Sequence, residues 1–241
     1  MLAIDIQNLT KRYKDVTAVD GLNLQIEQGE LFSLLGVNGA GKTTTVKMLC
    51  TLTQATSGDA LLLGKSILTQ SAEVKKMIAV SPQETAVAHN LTVEENLRLM
   101  AGVHGFNKQQ TQEKLKILTE TFGLDSILNK RAGKLSGGWQ RRLSIAMALI
   151  CEPKILFLDE PTLGLDVIAR SDLWEIIRAL KGKITMVMTT HYMEEAEVLS
   201  DKIGIMKEGK LLFCGTAEEI KKKAATDKFE EAFIRIVKGG V

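Results

Sequence analysis

The sequence predicts an α/β fold built on a mainly parallel sheet, with an antiparallel β subdomain at the N-terminus and an inserted α-helical subdomain. Three observations predict it. Near the N-terminus, apolar and polar residues alternate at period two. Further on, short apolar runs ending on glycine or polar residues alternate with helical spacing. Residues 84–135 carry helical spacing alone. Strands that alternate with helices pair in parallel, because a helix is the crossover that returns the chain.

The elements follow in order. Ile4, Ile6 and Leu9, then Leu22, Leu24 and Ile26, mark antiparallel strands with one wet face. The run 30-ELFSLLG-36 is apolar almost throughout, as a buried parallel strand requires. A helix is expected over 42-KTTTVKMLCTL-52, with Val46, Leu49 and Leu52 on one face. Strands follow at 58-GDALLLG-64 and 77-MIAVSPQ-83. From Leu91 to Leu128 the texture is helical. Thr92 and Glu95 form a T-x-x-E capping box, each satisfying an orphan backbone donor of the other. Leu143, Met147 and Ile150 define one apolar face of a later helix. The strand 154-KILFLDE-160 is followed by the helix 169-ARSDLWEIIRAL-180, the strand 183-KITMVMTTH-191 and the helix 192-YMEEAEVLSD-201. The segment 203-IGIMKEGKLLFCG-215 reads as a hairpin turning at Glu208–Gly209, and a second capping box, Thr216 with Glu219, opens a C-terminal helix. Lys221–Lys223 reads as a solvated helix face.

Composition bounds the function. At 241 residues with 45% hydrophobic content, the chain can bury a sizeable core. It is expected to form one domain, 1–241, with an α/β core that includes the antiparallel β subdomain over about 1–83 and 136–241, and the helical subdomain at about 84–135. Lys and Arg (31) nearly balance Asp and Glu (29), and a net charge of +2 argues against a nucleic-acid partner held by bulk charge. Cys50, Cys151 and Cys214 form no metal-type spacing and read as buried filler in a reducing compartment. Asp5 and Lys11–Arg12 break up any signal peptide, and no run approaches the ~18 apolar residues of a membrane span. The expected place is therefore the cytosol, with any membrane role exercised through another subunit.

The segment 36-GVNGAGKT-43 matches G-x-x-x-x-G-K-[ST] and lies between an expected strand and helix, the context of a P-loop NTPase core. Backbone N–H groups of Gly36, Val37, Asn38, Gly39, Ala40, Gly41, Lys42, Thr43 and Thr44 would wrap the phosphates of a nucleotide. Lys42 would reach the β/γ oxygens and Thr43 would ligate Mg²⁺. At the carboxyl end of 155-ILFLDE-160, where open α/β sheets bind ligands, Asp159 would hold the metal through water. Glu160, one residue on, points to the other side and can aim at an attacking water. Gln83 and His191 also follow buried strands and converge on the same edge. A second anion-type loop, 134-KLSGGWQRR-142, opens another helix and has no evident role within one chain.

These residues, in this order, resemble the nucleotide-binding subunits of ABC transporters. Tyr13 is the aromatic A-loop candidate, 36-GVNGAGKTT-44 the Walker A loop, Gln83 the Q-loop glutamine, 135-LSGGWQ-140 the signature, 155-ILFLDE-160 Walker B, 163-LGLD-166 a D-loop ending on Asp166, and His191 the switch histidine. The phrases 161-PTLGLD-166, 189-TTHYMEEAE-197 and 229-FEEAFIRI-236 are similar to the ABC-2, drug-resistance exporter group. Many such relatives carry a longer C-terminal tail, and a regulatory tail domain is not expected here. The fifth signature position, usually glutamine, is Trp139, followed by Gln140. Ser136, Gly137 and Gly138 are intact, so activity is expected to survive.

The resemblance implies ATP and Mg²⁺ as ligands, with Mg²⁺ held by Thr43, Gln83 and Asp159. It implies a head-to-tail dimer, homo- or heteromeric, in which Leu135, Ser136, Gly137, Gly138 and Gln140 contact the ATP of the partner subunit. The second loop then has a role. Tyr13 would stack on adenine, Glu160 polarise water, His191 sense the γ-phosphate, and Gln83 relay the ATP state to a polytopic transmembrane permease. The chain would then sit on the cytoplasmic face of the membrane. The other reading is a soluble ABC ATPase acting as an assembly or regulatory factor. A polytopic membrane protein recovered with the chain separates the two. No residue identifies a transported substrate.

Overall fold

The computed structural model describes residues 1–239. Strand β1 (Leu2–Tyr13) turns back into β2 (Val16–Glu27), and Ile4, Ile6 and Leu9 pair with Ile26, Leu24 and Leu22. All six are buried, so the period-two reading places the right face inward. Strand β3 (Leu31–Gly36) is buried at every position. The helix after it, α1 (Lys42–Leu49), is shorter than expected. Thr51 takes a left-handed conformation (φ 48–56° is shared by several residues of this kind, here 56°) and ends the turn, leaving Leu52 exposed. Next come β4 (Ser57–Leu62), the two-residue β5 (Lys65–Ser66) and α2 (Ser71–Met77), a short helix in a stretch to which periodicity assigns no element.

Strand β6 (Ile78–Ser81) leads to α3 (Val93–Val103) and α4 (Lys108–Phe122), the helices of the inserted segment. The Thr92–Glu95 capping box opens α3, with its two hydrogen bonds at 3.1 and 2.8 Å. A further box, Asn107 with Gln110, opens α4. Helix α5 (Gly137–Leu149) departs from the one-face expectation: Arg141, Ser144, Ile145, Ala146 and Ala148 are buried along with Leu143 and Met147. Small residues on its other faces let neighbouring elements close over it.

Then follow β7 (Ile155–Asp159), α6 (Val167–Leu180), β8 (Thr185–Thr190), α7 (Met193–Leu199), β9 (Lys202–Lys207), β10 (Lys210–Gly215), α8 (Ala217–Lys223) and α9 (Phe229–Val237). Glu208 and Gly209 both take positive φ (49° and 80°), the two-residue turn that matches the twist of the β9–β10 hairpin.

Two sheets result. The first has order β2-β1-β4-β5 and is antiparallel; the second has order β10-β9-β3-β8-β7-β6 and is parallel except for β10. One core lies between the antiparallel sheet, α1 and one face of the parallel sheet. A second lies under α3–α6 on the opposite face, and a third packs α7–α9 on β9. The parallel strands thus deliver the ends of β3, β6, β7 and β8 to one edge. Among the described residues no helix is long and apolar enough to cross a membrane. Cys50 is buried, but Cys151 is half-buried and Cys214 exposed, so the filler reading holds only for Cys50.

Candidate nucleotide-binding site

The loop between β3 and α1 follows a path that side chains would block. A Cβ on Gly36 would stand 2.5 Å from the Met206 carbonyl oxygen, and one on Gly41 (φ 103°) 2.4 Å from that of Ala18. Glycine at both positions lets the loop lie flat against β9 and β2 while its N–H groups open towards the edge of the sheet. Lys42 begins α1 and is only 6% exposed. Its Nζ donates to the Gly36 carbonyl at 2.7 Å and to that of Val37 at 3.3 Å, and faces Glu160 Oε1 at 3.6 Å. Burial pulls the Lys42 pKa below its ordinary value, and the carboxylates of Glu160 and Asp159 push it back.

Asp159 ends β7 beside this loop. Its Oδ1 accepts from Thr43 Oγ1 at 3.3 Å and from Thr189 Oγ1 at 2.5 Å. Both recorded bonds use one oxygen, so Oδ2 remains for another ligand. Glu160 diverges from Asp159 for a reason beyond strand alternation: it takes a left-handed conformation (φ 49°) just past the strand end. Such a conformation costs about 1–3 kcal/mol. Two bonds from its backbone N–H, to the Thr189 carbonyl and hydroxyl at 3.1 Å each, hold it there. The carboxylate then lies between Lys42 and His191, whose Nδ1 is 2.6 Å from Oε2.

A cleft of about 670 Å³ covers these groups, with residues 38–44 as its floor, Tyr13 on one wall, and Gln83, Glu160 and His191 on the other. Tyr13 is half-exposed, and Lys11 stands 4.9 Å over its ring. Gln83 is exposed, just past β6. A groove of about 740 Å³ lies at the opposite ends of the strands, near Lys154, Ile184 and Thr185, and holds no such constellation.

The second loop stands apart: none of residues 135–140 lines the cleft. Ser136 and Gly137 are exposed at the start of α5, and the Ser136 hydroxyl makes no cap. Leu135 is half-buried. Gly138 has a packing reason of its own, since a Cβ there would lie 2.9 Å from that of Ala169 on α6. Gln140 turns inward, donating to the carbonyls of Ala132 (3.0 Å) and Leu135 (3.3 Å) of its own chain. Trp139 packs at the edge of the core with the Arg142 guanidinium 4.6 Å over its ring, and Arg142 pairs with Asp172 of α6 at 2.5 Å. Arg142 thus joins α5 to α6, with the indole stacked against its guanidinium. Asp166 caps α6, accepting from the N–H groups of Ile168 and Ala169 at 3.0 and 2.9 Å.

Two residues at this edge escaped the sequence reading. Thr189 joins β8 to the Asp159 carboxylate and to the backbone N–H of Glu160. Arg141, 3% exposed, donates to the Pro82 carbonyl at 2.5 Å and to that of Gln83, fastening the segment after β6 to α5. In sequence Arg141–Arg142 looks like a solvated pair; Arg141 immediately after the second loop was the available signal.

Residues 19–163 match the profile of the protein family described as ABC transporter. The chain is similar to the "Probable multidrug ABC transporter ATP-binding protein YbhF" of Escherichia coli, with 41% identity over 97% of this chain and 41% of that protein. It is also similar to the "Daunorubicin/doxorubicin resistance ATP-binding protein DrrA" of Streptomyces peucetius, with 38% identity over 91% of this chain and 67% of that one. It therefore spans about two fifths of the first relative's length and two thirds of the second's. A solved structure described as "Structure of ATP binding subunit of ABC transporter" superposes with a TM-score of 0.86 at 26% identity, covering 97% of this chain and 99% of the other. With the family profile matching more than half of the chain, the chain belongs to the ABC transporter family as an ATP-binding domain.

Proposed function

We propose that this chain hydrolyses ATP and thereby powers an export permease, working as one half of a head-to-tail pair of such domains. In this reading the chain is a single nucleotide-binding domain whose helical subdomain, 84–135, faces the permease at the cytoplasmic side of the membrane. The observation that carries hydrolysis is the placement of the Glu160 carboxylate between Lys42 and His191 at the edge of the parallel sheet.

The residues at hand fit Mg²⁺. Asp159 is a nearly buried carboxylate with one oxygen left over from its threonine bonds, and the Thr43 hydroxyl stands 3.3 Å from the other. Thr43, Asp159 and Gln83 would hold the ion, which supplies neutralising charge across the phosphate oxygens. The N–H groups of 36–44 bind and orient the phosphates, Lys42 adds positive charge, and Tyr13 offers a face to the base. Glu160 accepts the proton of the attacking water or orients it. A carboxylate only accepts, so the His191 Nδ1 carries the proton between them whenever Glu160 is ionised.

The pairing of two chains is supported by the second loop. A 13-residue helix begins at the exposed Ser136 and Gly137, away from the chain's own cleft. Beside it Val167 and Ile168 are exposed (78% and 74%), an apolar edge that suits a partner surface. Ser136, Gly137 and Gly138 then complete the partner's site, so ATP closes the pair and hydrolysis releases it. The exporter assignment is supported by the multidrug and drug-resistance descriptions of the two relatives.

The test is phosphate release by the purified chain with Mg-ATP, set against Lys42→Ala, together with affinity capture from detergent extracts. Turnover that Lys42→Ala abolishes and a co-purifying polytopic membrane protein are expected. Turnover unaffected by Lys42→Ala refutes the site, and consistent absence of a membrane partner refutes the transport role.

A further inference from the structure

A carboxyl group behind the catalytic edge has no part in the scheme above. Glu195, in the first turn of α7, is completely buried. The Trp174 indole N–H on α6 donates to its Oε1 at 3.2 Å. The hydroxyls of Thr162 and Thr190, both fully buried, face the same carboxyl. As the heavy atoms stand, Glu195 Oε2 and Thr162 Oγ1 make no aligned hydrogen bond. An unmade bond of this kind costs about 1–3 kcal/mol; the Thr162 hydroxyl can donate to Oε2 in either form of the carboxyl, and a proton on Oε2 lets the carboxyl donate as well.

The positions of the two threonines matter. Thr190 ends β8 immediately before His191, and Thr162 follows Glu160 by two residues. Strand alternation sends Thr189 to Asp159, at 2.5 Å, and Thr190 to the opposite face, towards Glu195. Thr190 Oγ1 also accepts from the Tyr192 N–H at 3.0 Å, so the hydroxyl grips the backbone on both sides of His191. Tyr192 is held in turn between the His191 ring, at 4.1 Å, and the Arg170 guanidinium of α6, at 4.7 Å.

We propose that Glu195 is a positioning residue for hydrolysis: buried, bonded to Trp174 and faced by Thr162 and Thr190, it packs the segments that carry Glu160 and His191 against α6 and sets their separation. It touches no nucleotide and acts through those two residues, so the role rests on the reading that they carry hydrolysis. Burial favours the neutral acid, and the charge of Glu160 opposes ionisation as well. The neutral form keeps the link without placing a second negative charge behind the site.

The test compares two substitutions in the full chain. Glu195→Gln reproduces the acid, with an acceptor for Trp174 and a donor for the threonines; kcat and KM for ATP should stay within about twofold of the parent. Glu195→Ala removes the link, and kcat should fall about 10- to 100-fold while KM changes less than about threefold, because the cleft's own contacts are untouched. An NMR comparison without nucleotide separates this role from the functional reading. The chain has three histidines, and the imidazole signal of His191 should move in Glu195→Ala and stay in Glu195→Gln. Should the alanine variant not fold, Trp174→Phe, which keeps an aromatic ring but removes the indole donor, should move the same signal and lower kcat in the same way. An unmoved His191 signal, unchanged kcat in the alanine variant, or equal losses in Glu195→Gln and Glu195→Ala would overturn the proposal. A parent chain without ATPase activity refutes the functional reading and leaves the NMR comparison to decide the positioning role.

Discussion

Nδ1 of His191 stands 2.6 Å from one oxygen of Glu160, while the other oxygen faces Nζ of Lys42 at 3.6 Å. One carboxylate therefore joins the phosphate loop to the end of β8. Its side chain is 8% exposed, so both contacts act in a medium that screens charge poorly.

Replacing Glu160 with glutamine keeps the shape and an acceptor for His191 but removes the charge and the basic oxygen. Hydrolysis should fall about 10²–10⁴-fold, the usual contribution of a general base. Binding should persist, because the loop N–H groups and Lys42 are untouched. Phosphate release measures the first quantity and fluorescence titration with a labelled ATP analogue the second. Sedimentation in ATP should show closed dimers accumulating for Glu160→Gln; monomers throughout would remove the case for pairing.

Arg141 offers a separate test of how the segment after β6 is held. Its guanidinium satisfies the carbonyls of Pro82 and Gln83. Arg141→Met fills similar volume but leaves both acceptors without a partner, at a cost of about 2–5 kcal/mol. Arg141→Lys can restore one bond and should lose less. Urea unfolding midpoints rank the three chains, and a methionine variant as stable as the parent would show that the bonds are idle.

Arg141 also marks what periodicity could not see. The strand and helix alternation was legible because buried strands and amphipathic faces impose their own spacing, as with β3 and with Ile4, Ile6 and Leu9. The phosphate loop was legible because few residue types permit its backbone path. The buried face of Arg141, the inward turn of Gln140 and the burial of Glu195 were not. Each is a polar residue whose partner lies elsewhere in the chain, and pattern alone assigns polar residues to solvent. Leu52 failed the other way, because a left-handed Thr51 stopped the helix before the apolar spacing did.

The two signature glycines should separate in their effects on stability. A Cβ on Gly137 meets only Leu165 Cδ2, at 3.8 Å, an ordinary contact, whereas one on Gly138 meets the Ala169 Cβ at 2.9 Å. Gly138→Ala forces α5 from α6 and should cost about 1–3 kcal/mol. Gly137→Ala lies in the first turn of a helix and should be neutral or slightly stabilising, by up to about 1 kcal/mol. If both glycines serve a partner's ATP, both variants should still lower turnover. Thermal unfolding beside an ATPase assay gives the two readouts, and equal melting temperatures for the variants would dismiss the packing argument for Gly138.

The protonation of Glu195 has a signature in stability that needs no activity. Burial raises its folded pKa above the usual 4.5. The folded chain then holds a proton that the unfolded chain has released, so this group's contribution is fully present below about pH 4.5 and is lost as pH rises through the folded pKa. Glu195→Gln cannot titrate and has no such loss. Its stability relative to the parent should therefore climb with pH above about 4.5, at up to about 1.4 kcal/mol per unit, and level off once the folded carboxyl ionises. Chemical denaturation of both chains across pH 4 to 8 draws the difference curve, taking as its range about the span in which carboxyl burial acts. A flat curve would mean that Glu195 ionises as readily inside the protein as outside it, and the buried acid would lose its physical basis.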